Sequence, residues 1–198
     1  MKMQQTRRQA LQTLALGGLG AALAGQLAPS LAQTQTAPKW PAFQSRRSLD
    51  NSIYFGANLF SVLADKKATG GAYTLIDATV RQGFEAPPHT HTKEDEIFFV
   101  LEGEIEFTSG GIVTLAKPGD HVFQPRNVEH WFKLKTPMAR TLVLFTPGGL
   151  EGLYRQLSVP AKTLELPAPP TAAPTPEQIA RSVKLSAEYG VFITSPKK

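Results

Sequence analysis

Between Ile53 and Phe145 the chain alternates short apolar runs with polar breaks, and the runs have the length and content of strands. The pattern predicts strands over Leu59–Ala64 and Ala72–Val80, separated by the turn DKKATGG. It predicts further strands over Glu96–Leu101, Glu104–Thr108, Ile112–Leu115, His121–Gln124, Trp131–Leu134 and Thr141–Phe145. Gly, Pro or Asn punctuates most of the gaps, and no helical period intervenes. Closely spaced short strands of this kind make a β-sandwich or barrel rather than an α/β fold. Two helices are predicted after the strands. A short one spans Leu150–Leu157. A second follows the Pro-rich stretch PAPPTAAPTP, which reads as a semi-rigid linker. Thr175 is placed to cap it, Pro176 to open it and Gly190 to end it. Ile179, Val183 and Ala187 are spaced as an apolar stripe that would pack this helix on the outside of the barrel.

The N-terminus has a different pattern. Arg7 and Arg8 form a twin-arginine pair, an uncharged and mostly apolar segment runs from Leu14 to Gly25, and small residues stand at Ser30 and Ala32. Charge, apolar segment and small residues follow the order of an export signal, and the segment falls short of the ~20 apolar residues of a permanent span. The expected organisation is a signal peptide over 1–32, an exposed arm over 33–52, a barrel over 53–157, a linker over 158–176, and a helix and tail over 177–198. Cleavage near Ala32 would leave the protein periplasmic or secreted.

Charge and composition then narrow the chemistry. Of the 198 residues, 41% are hydrophobic, ample for one core. The formal charge is +5, but removing Lys2, Arg7 and Arg8 from the 21 basic residues leaves 18 against 16 acidic ones. No basic run survives in that mature chain, so nucleic-acid binding has no electrostatic footprint here. There is no cysteine, which excludes disulfides, thiolate metal sites and cysteine nucleophiles. Any transition metal would be held by histidine and carboxylate.

All four histidines fall between Gly83 and His130. His89 and His91 are two apart, so on a strand their imidazoles share a face. Glu96 opens the next strand, with Phe98 and Val100 on its side. His130 comes from a later strand, after the turn at Pro125-Arg126-Asn127. Three imidazoles and a carboxylate suit one divalent transition metal: Fe, Mn, Ni, Co, Cu or Zn. Phe98 and Phe132 share faces with Glu96 and His130 and are candidates for a substrate pocket. His121 is out of register and reads as a surface residue. Glu94 and Asp95 read as solvated turn acids, with Glu94 the alternative ligand. Phe107 and Phe123 read as core, and Arg81, Arg126 and Arg140 as surface residues.

The spacing resembles the cupin first motif: Gly83, five residues, His89, one, His91, four, Glu96, six, Gly103. The second cupin motif is matched in part, by Gly119, Pro125 and His130, with Asn127 where Gly is usual and Leu134 where Asn is usual. The resemblance implies an all-β fold, a single jelly-roll (double-stranded β-helix) barrel followed here by the C-terminal α-helix. It also implies that His89, His91, Glu96 and His130 ligate the metal. The stretches TGGAYTLID, HTHTKEDEIFFVLEGEIEF and TLVLFTPGGLEGLYRQL are similar to those of single-domain quercetin dioxygenase-like cupins. In that group the metal-bound glutamate takes the flavonol hydroxyl proton before O₂ reacts and carbon monoxide leaves. Carried over, Glu96 becomes the catalytic base, and the partners are a small phenolic substrate and O₂. Exposed edge strands offer a surface for a homodimer. Oxalate-acting cupins resemble the chain at its ligands, but where they carry Arg this chain has Ala86. Two alternatives stay open: a metal-dependent isomerase or lyase, which calls for a more polar cavity, and a periplasmic cupin that keeps all four ligands and binds a metal or ligand without catalysis.

Overall fold

The computed structural model describes residues 40–194. The export signal read in residues 1–32 lies outside the described residues, as do residues 33–39 of the arm. The first strands are β1 (Ser52–Phe55), β2 (Asn58–Ala64), β3 (Thr74–Arg81) and β4 (His89–His91). Then come β5 (Asp95–Glu102), β6 (Ile105–Ser109), β7 (Ile112–Ala116) and β8 (His121–Gln124). The series ends with β9 (His130–Leu134), β10 (Met138–Thr146), β11 (Val159–Pro160) and β12 (Val191–Ile193). Three helices interrupt it: α1 (Lys66–Thr69), α2 (Glu151–Leu157) and α3 (Pro176–Tyr189).

These strands form two antiparallel sheets. One has the order β11-β1-β2-β3-β10-β5-β8, the other β12-β4-β9-β6-β7. The inward faces meet over a core that includes Ile76, Phe98, Val100, Ile105, Phe107 and Phe145. Alternation does the sorting. Along β5, Glu96, Phe98 and Val100 are buried while Phe99 and Leu101 are exposed. Leu134, at the position of the usual motif Asn, is one more buried apolar residue of this core. Gly103 turns the chain from β5 to β6 at φ +80°, and a Cβ there would lie 2.5 Å from the Met138 carbonyl oxygen. Only glycine fits that approach.

Several expectations change. The turn DKKATGG contains α1, capped by the Asp65 side chain accepting from the Ala68 N–H at 2.8 Å. Phe123 is not core: it is 51% exposed on β8. The arm stays exposed over residues 40–46, but Arg47 donates to the Thr79 hydroxyl at 3.0 Å. Beside it Arg140 makes a two-pronged bond to the buried Asp77 carboxylate, so Arg140 is no free surface cation. Arg81 donates to the Pro167 carbonyl at 3.0 Å. Linker residues Val159 and Pro160 form β11 on the sheet edge, where Pro is tolerated because its missing N–H faces no partner strand.

The C-terminal segment departs most. Thr175 caps α3 within a capping box, as its sequence predicts. The stripe, however, faces solvent: Ile179 is 51% and Val183 47% exposed. The buried residue of α3 is Ser186, with Ser182, Leu185 and Tyr189 partly covered. Gly190 then reverses the chain at φ +86°, and β12 pairs with β4, bringing Val191 opposite His91 and Ile193 opposite His89. The helix therefore does not simply lie on the barrel's outside. It carries a strand into the sheet that holds two of the candidate ligands.

Candidate metal centre

β4 sets His89 and His91 on its buried face, with Thr90 pointing away. β9 brings His130 opposite His89 across the ladder. Glu96 enters from the other sheet, on β5, and all four side chains are buried. One ligand atom from each of His89, His91, Glu96 and His130 falls within 4.8 Å of the others. Asn127 adopts φ 62° in the turn before β9 and donates its N–H to the His91 carbonyl at 2.7 Å. Asn tolerates this left-handed conformation better than most residues, so the usual Gly is not required.

Hydrogen bonds orient two of the rings. His89 Nδ1 lies 2.7 Å from the Pro87 carbonyl and His130 Nδ1 lies 2.9 Å from the Val128 carbonyl. A carbonyl only accepts, so each Nδ1 carries a proton and each Nε2 is turned inward. His89 Nε2 then faces His91 Nε2 at 3.1 Å, and His130 Nε2 faces Glu96 Oε2 at 3.2 Å. His91 Nε2 is 3.7 Å from the same Glu96 oxygen. Metal–nitrogen bonds of ~2.0–2.1 Å place neighbouring ligand atoms about 2.9–3.4 Å apart; the 3.1 and 3.2 Å pairs match that range, and the 3.7 Å pair lies a few tenths of an ångström beyond it. Acceptor atoms crowded this closely repel one another unless a proton or a cation lies among them. The residues fit a divalent metal.

Electrostatics agree. Burial holds the His89 imidazole down at about 4, with the positive fields of His91 and His130 adding to it and Glu96 opposing. Its ring is neutral and free to ligate. Burial pushes the Glu96 carboxyl up, but the His130 hydrogen bond and the three imidazoles outweigh it, leaving the group below its ordinary value and ionised. Burial lowers His130 as well, yet the hydrogen bond and charge of Glu96 leave it above its ordinary value.

His89, His91 and Glu96 of the cluster line a cavity of about 210 Å³. Phe98 and Phe132 both line it, together with Phe60, Phe145 and Tyr154. Tyr154 sits in an aromatic group, 5.2 Å from Phe60 and 5.3 Å from Phe55 between ring centroids. Burial and the charges of Glu96 and Glu94 hold its phenol well above the ordinary value, so it stays protonated. Ser182 and Ser186 of α3 and Val191 and Ile193 of β12 complete the wall. Nothing in the apolar stripe of α3 signalled this. The β-rich triplet Val191-Phe192-Ile193 after the helix stop was the available cue. Ala86 lines the cavity and supplies no cation for a small dianion.

The remaining acids and His121 resolve as follows. His121 is exposed, its ring 5.0 Å from Phe99. Asp95 is tied to Arg126 by a two-pronged ion pair, at 3.0 and 2.7 Å, and accepts the Arg126 backbone N–H. Arg126 is thus a turn clamp. Glu94 is not solvated; it is only 5% exposed. Nor does it join the four ligand residues: its Oε2 faces Nδ1 of His91, the ring nitrogen other than the one turned toward His89 and Glu96.

The family profile for the Cupin domain matches residues 77–145, which span β4, β5 and β9. A quercetin 2,3-dioxygenase of Bacillus subtilis (strain 168) is 26% identical over 117 residues, covering 59% of this chain and 35% of that protein. A quercetin 2,3-dioxygenase of Aspergillus japonicus is 29% identical over 117 residues, covering 56% of this chain and 33% of that one. The chain thus spans about a third of the length of these curated relatives. Among solved structures, an RmlC-like cupin from Shewanella frigidimarina aligns with a TM-score of 0.48 and 18% identity, over 56% of this chain and 96% of that one. KdgF from Halomonas sp. aligns with a TM-score of 0.44 and 21% identity, over 48% and 85% respectively. Residues 77–145 match the Cupin domain profile, and they lie within two antiparallel sheets whose arrangement is that of a cupin-type β-barrel.

Proposed function

We propose that the chain is an exported, metal-dependent cupin dioxygenase of the quercetin 2,3-dioxygenase type, acting on a flat phenolic substrate with O₂. One observation carries this reading: three imidazoles and an ionised carboxylate converge, and His89, His91 and Glu96 of that cluster line an aromatic-walled cavity. The distant relatives named quercetin 2,3-dioxygenase support the reaction type. His89, His91, Glu96 and His130 would hold the metal. Bound there, a divalent ion lowers the pKa of a coordinated hydroxyl and organises the reactants around itself.

The chain's own groups do the rest. Glu96, ionised beside the substrate position, accepts the phenol proton on its carboxylate. His89 and His130 keep their Nδ1 protons on backbone carbonyls, so neither ring competes for that proton through Nδ1. Phe98, Phe132 and Phe145 exclude water and offer ring faces and edges to a flat substrate. Ser182, Ser186 and the Tyr154 hydroxyl are polar points on the same wall, able to meet substrate hydroxyls. The cavity exceeds the ~150 Å³ that accepts a benzene ring. One or two rings fit within its 210 Å³, and a three-ring flavonol reaches beyond it. Isomerases and lyases of sugars call for a more polar wall than these phenylalanines provide.

The test is anaerobic loading with Fe, Mn, Ni, Co or Cu, then O₂ uptake with flavonols and with one- and two-ring phenols. Substrate-dependent uptake that is lost in Glu96→Gln supports the proposal. No uptake with any metal sinks it, and tight metal binding in that case would leave a non-catalytic binding cupin. Export is checked separately, since mature protein from the periplasm should begin near Gln33; retention of residues 1–32 there would remove that part.

A further inference from the structure

Two of the three candidate ligand histidines take their orientation from a backbone carbonyl two residues earlier, Pro87 for His89 and Val128 for His130. His91 does not. Its Nδ1 is buried and has no hydrogen-bond partner. The nearest acidic atom is Glu94 Oε2, at 3.8 Å, which is also buried and also without a partner. His91 is 1% and Glu94 5% exposed. A buried carboxylate oxygen and a buried ring nitrogen, both unsatisfied and facing each other, form a costly arrangement for a structure to keep without a use.

We propose that Glu94 is the positioning residue of His91: it holds the ring proton on Nδ1, which keeps Nε2 bare for the metal. The alternative tautomer shows what is at stake. With its proton on Nε2, His91 would donate to His89 Nε2, 3.1 Å away, and both nitrogens would be lost as ligands. His89 cannot take the other role, because its proton is committed to the Pro87 carbonyl. The tautomer of His91 therefore decides whether two of the four ligands are available. A small closure of the 3.8 Å gap, or one bridging water, joins the two groups. Metal-bound histidines generally donate their second ring N–H in this way, and a carboxylate acceptor also raises ring basicity. Glu94 brings a second negative charge near the centre, so that with Glu96 it balances a divalent cation. The two acids thus divide the work: Glu96 faces the metal position, and Glu94 stands behind His91 and makes no contact with substrate.

The inference rests on the metal-centre reading, and the experiment separates the two. Co(II) affinity is measured by chelator competition for the wild-type protein, Glu94→Gln and Glu94→Leu, alongside the melting temperature of each metal-free form. Glu94→Leu should weaken Co(II) binding by about 10–100-fold, the range for loss of a partner behind a ligand. Glu94→Gln keeps an acceptor but loses the charge, and should fall between Glu94→Leu and wild type. The metal-free melting temperature of Glu94→Leu should change little, because removing a buried charge offsets the loss of the acceptor for the His91 N–H. Should Glu94→Leu fail to fold, the isosteric Glu94→Gln carries the test alone. Co(II) affinities within about twofold of wild type for the variants that fold would overturn the role of Glu94 while leaving the metal centre intact. A lower metal-free melting temperature with unchanged affinity would make Glu94 a structural residue. Wild-type protein that binds no Co(II) or other divalent ion would overturn the metal centre, and this inference with it.

Discussion

Strand β4 has two neighbours of opposite character. On one side β9 pairs with it only through His89 opposite His130, yet that neighbour supplies a candidate ligand. On the other side β12 pairs through three positions, from Val191 opposite His91 to Ile193 opposite His89, and supplies no ligand. Its support extends further. Thr92 donates its N–H to the Gly190 carbonyl at 2.8 Å, and Thr194 donates to Pro88, also at 2.8 Å. The strand that carries the chemistry is thus held more by the C-terminal segment than by its chemical partner. Composition of a site and its mechanical support come from different parts of the chain.

The β9 side should be the more sensitive to substitution. His130→Ala removes an inward nitrogen and the partner of Glu96. It should weaken metal binding by more than the ~100-fold seen when only a supporting group is lost. Circular dichroism should still report the barrel, since β9 remains paired with β6 over five positions. Retained metal affinity would remove His130 from the ligand set, and the same holds for His91→Ala.

Acid titration of the metal-free protein comes next in size. His89 titrates at about 4 when folded against an ordinary 6.5, chiefly because it is buried. Between those values the unfolded chain binds a proton that the folded chain refuses, so stability is complete above about pH 6.5 and declines toward pH 4. The loss is on the order of 3 kcal/mol. His130, whose folded value is raised by Glu96 despite burial, works the opposite way: its contribution is present below its unfolded value and fades as pH rises through the folded one. Denaturation midpoints of metal-free His89→Asn should therefore lose much of the slope between pH 6.5 and 4. An unchanged slope would show that His89 is not held neutral.

The β12 side should give the smallest effect. Gly190→Ala places a methyl at φ +86°, 2.7 Å from the Thr92 hydroxyl and 2.9 Å from the Lys93 side chain. A left-handed non-glycine residue costs about 1–2 kcal/mol. For a chain of this size that lowers the melting temperature by about 2–8 °C. Metal affinity should fall far less than in His130→Ala. Equal losses in both variants would mean that β12 positions the ligands as strictly as β9 does.

Much of this was legible in the chain because the chemistry is local. His89 and His91 share a face by strand period, Glu96 heads an alternating strand, and Thr175, Pro176 and Gly190 bound α3 as their residue types dictate. Glu94 was misread because a turn acid between Lys93 and Asp95 has no local mark of burial. Phe123 was misread because a phenylalanine on an edge strand looks like one on a central strand.

Sequence alone determined the strand-rich architecture, the ligand-type residues at their spacings and the ends of the last helix, since each depends on backbone period and residues close in the chain. Tertiary structure alone decided three things. It turned Ser182 and Ser186 rather than Ile179 and Val183 toward the cavity, laid β12 against β4, and set Glu94 behind His91. Each of these depends on which distant surface a segment meets, and about 100 residues separate β12 from the strand it supports.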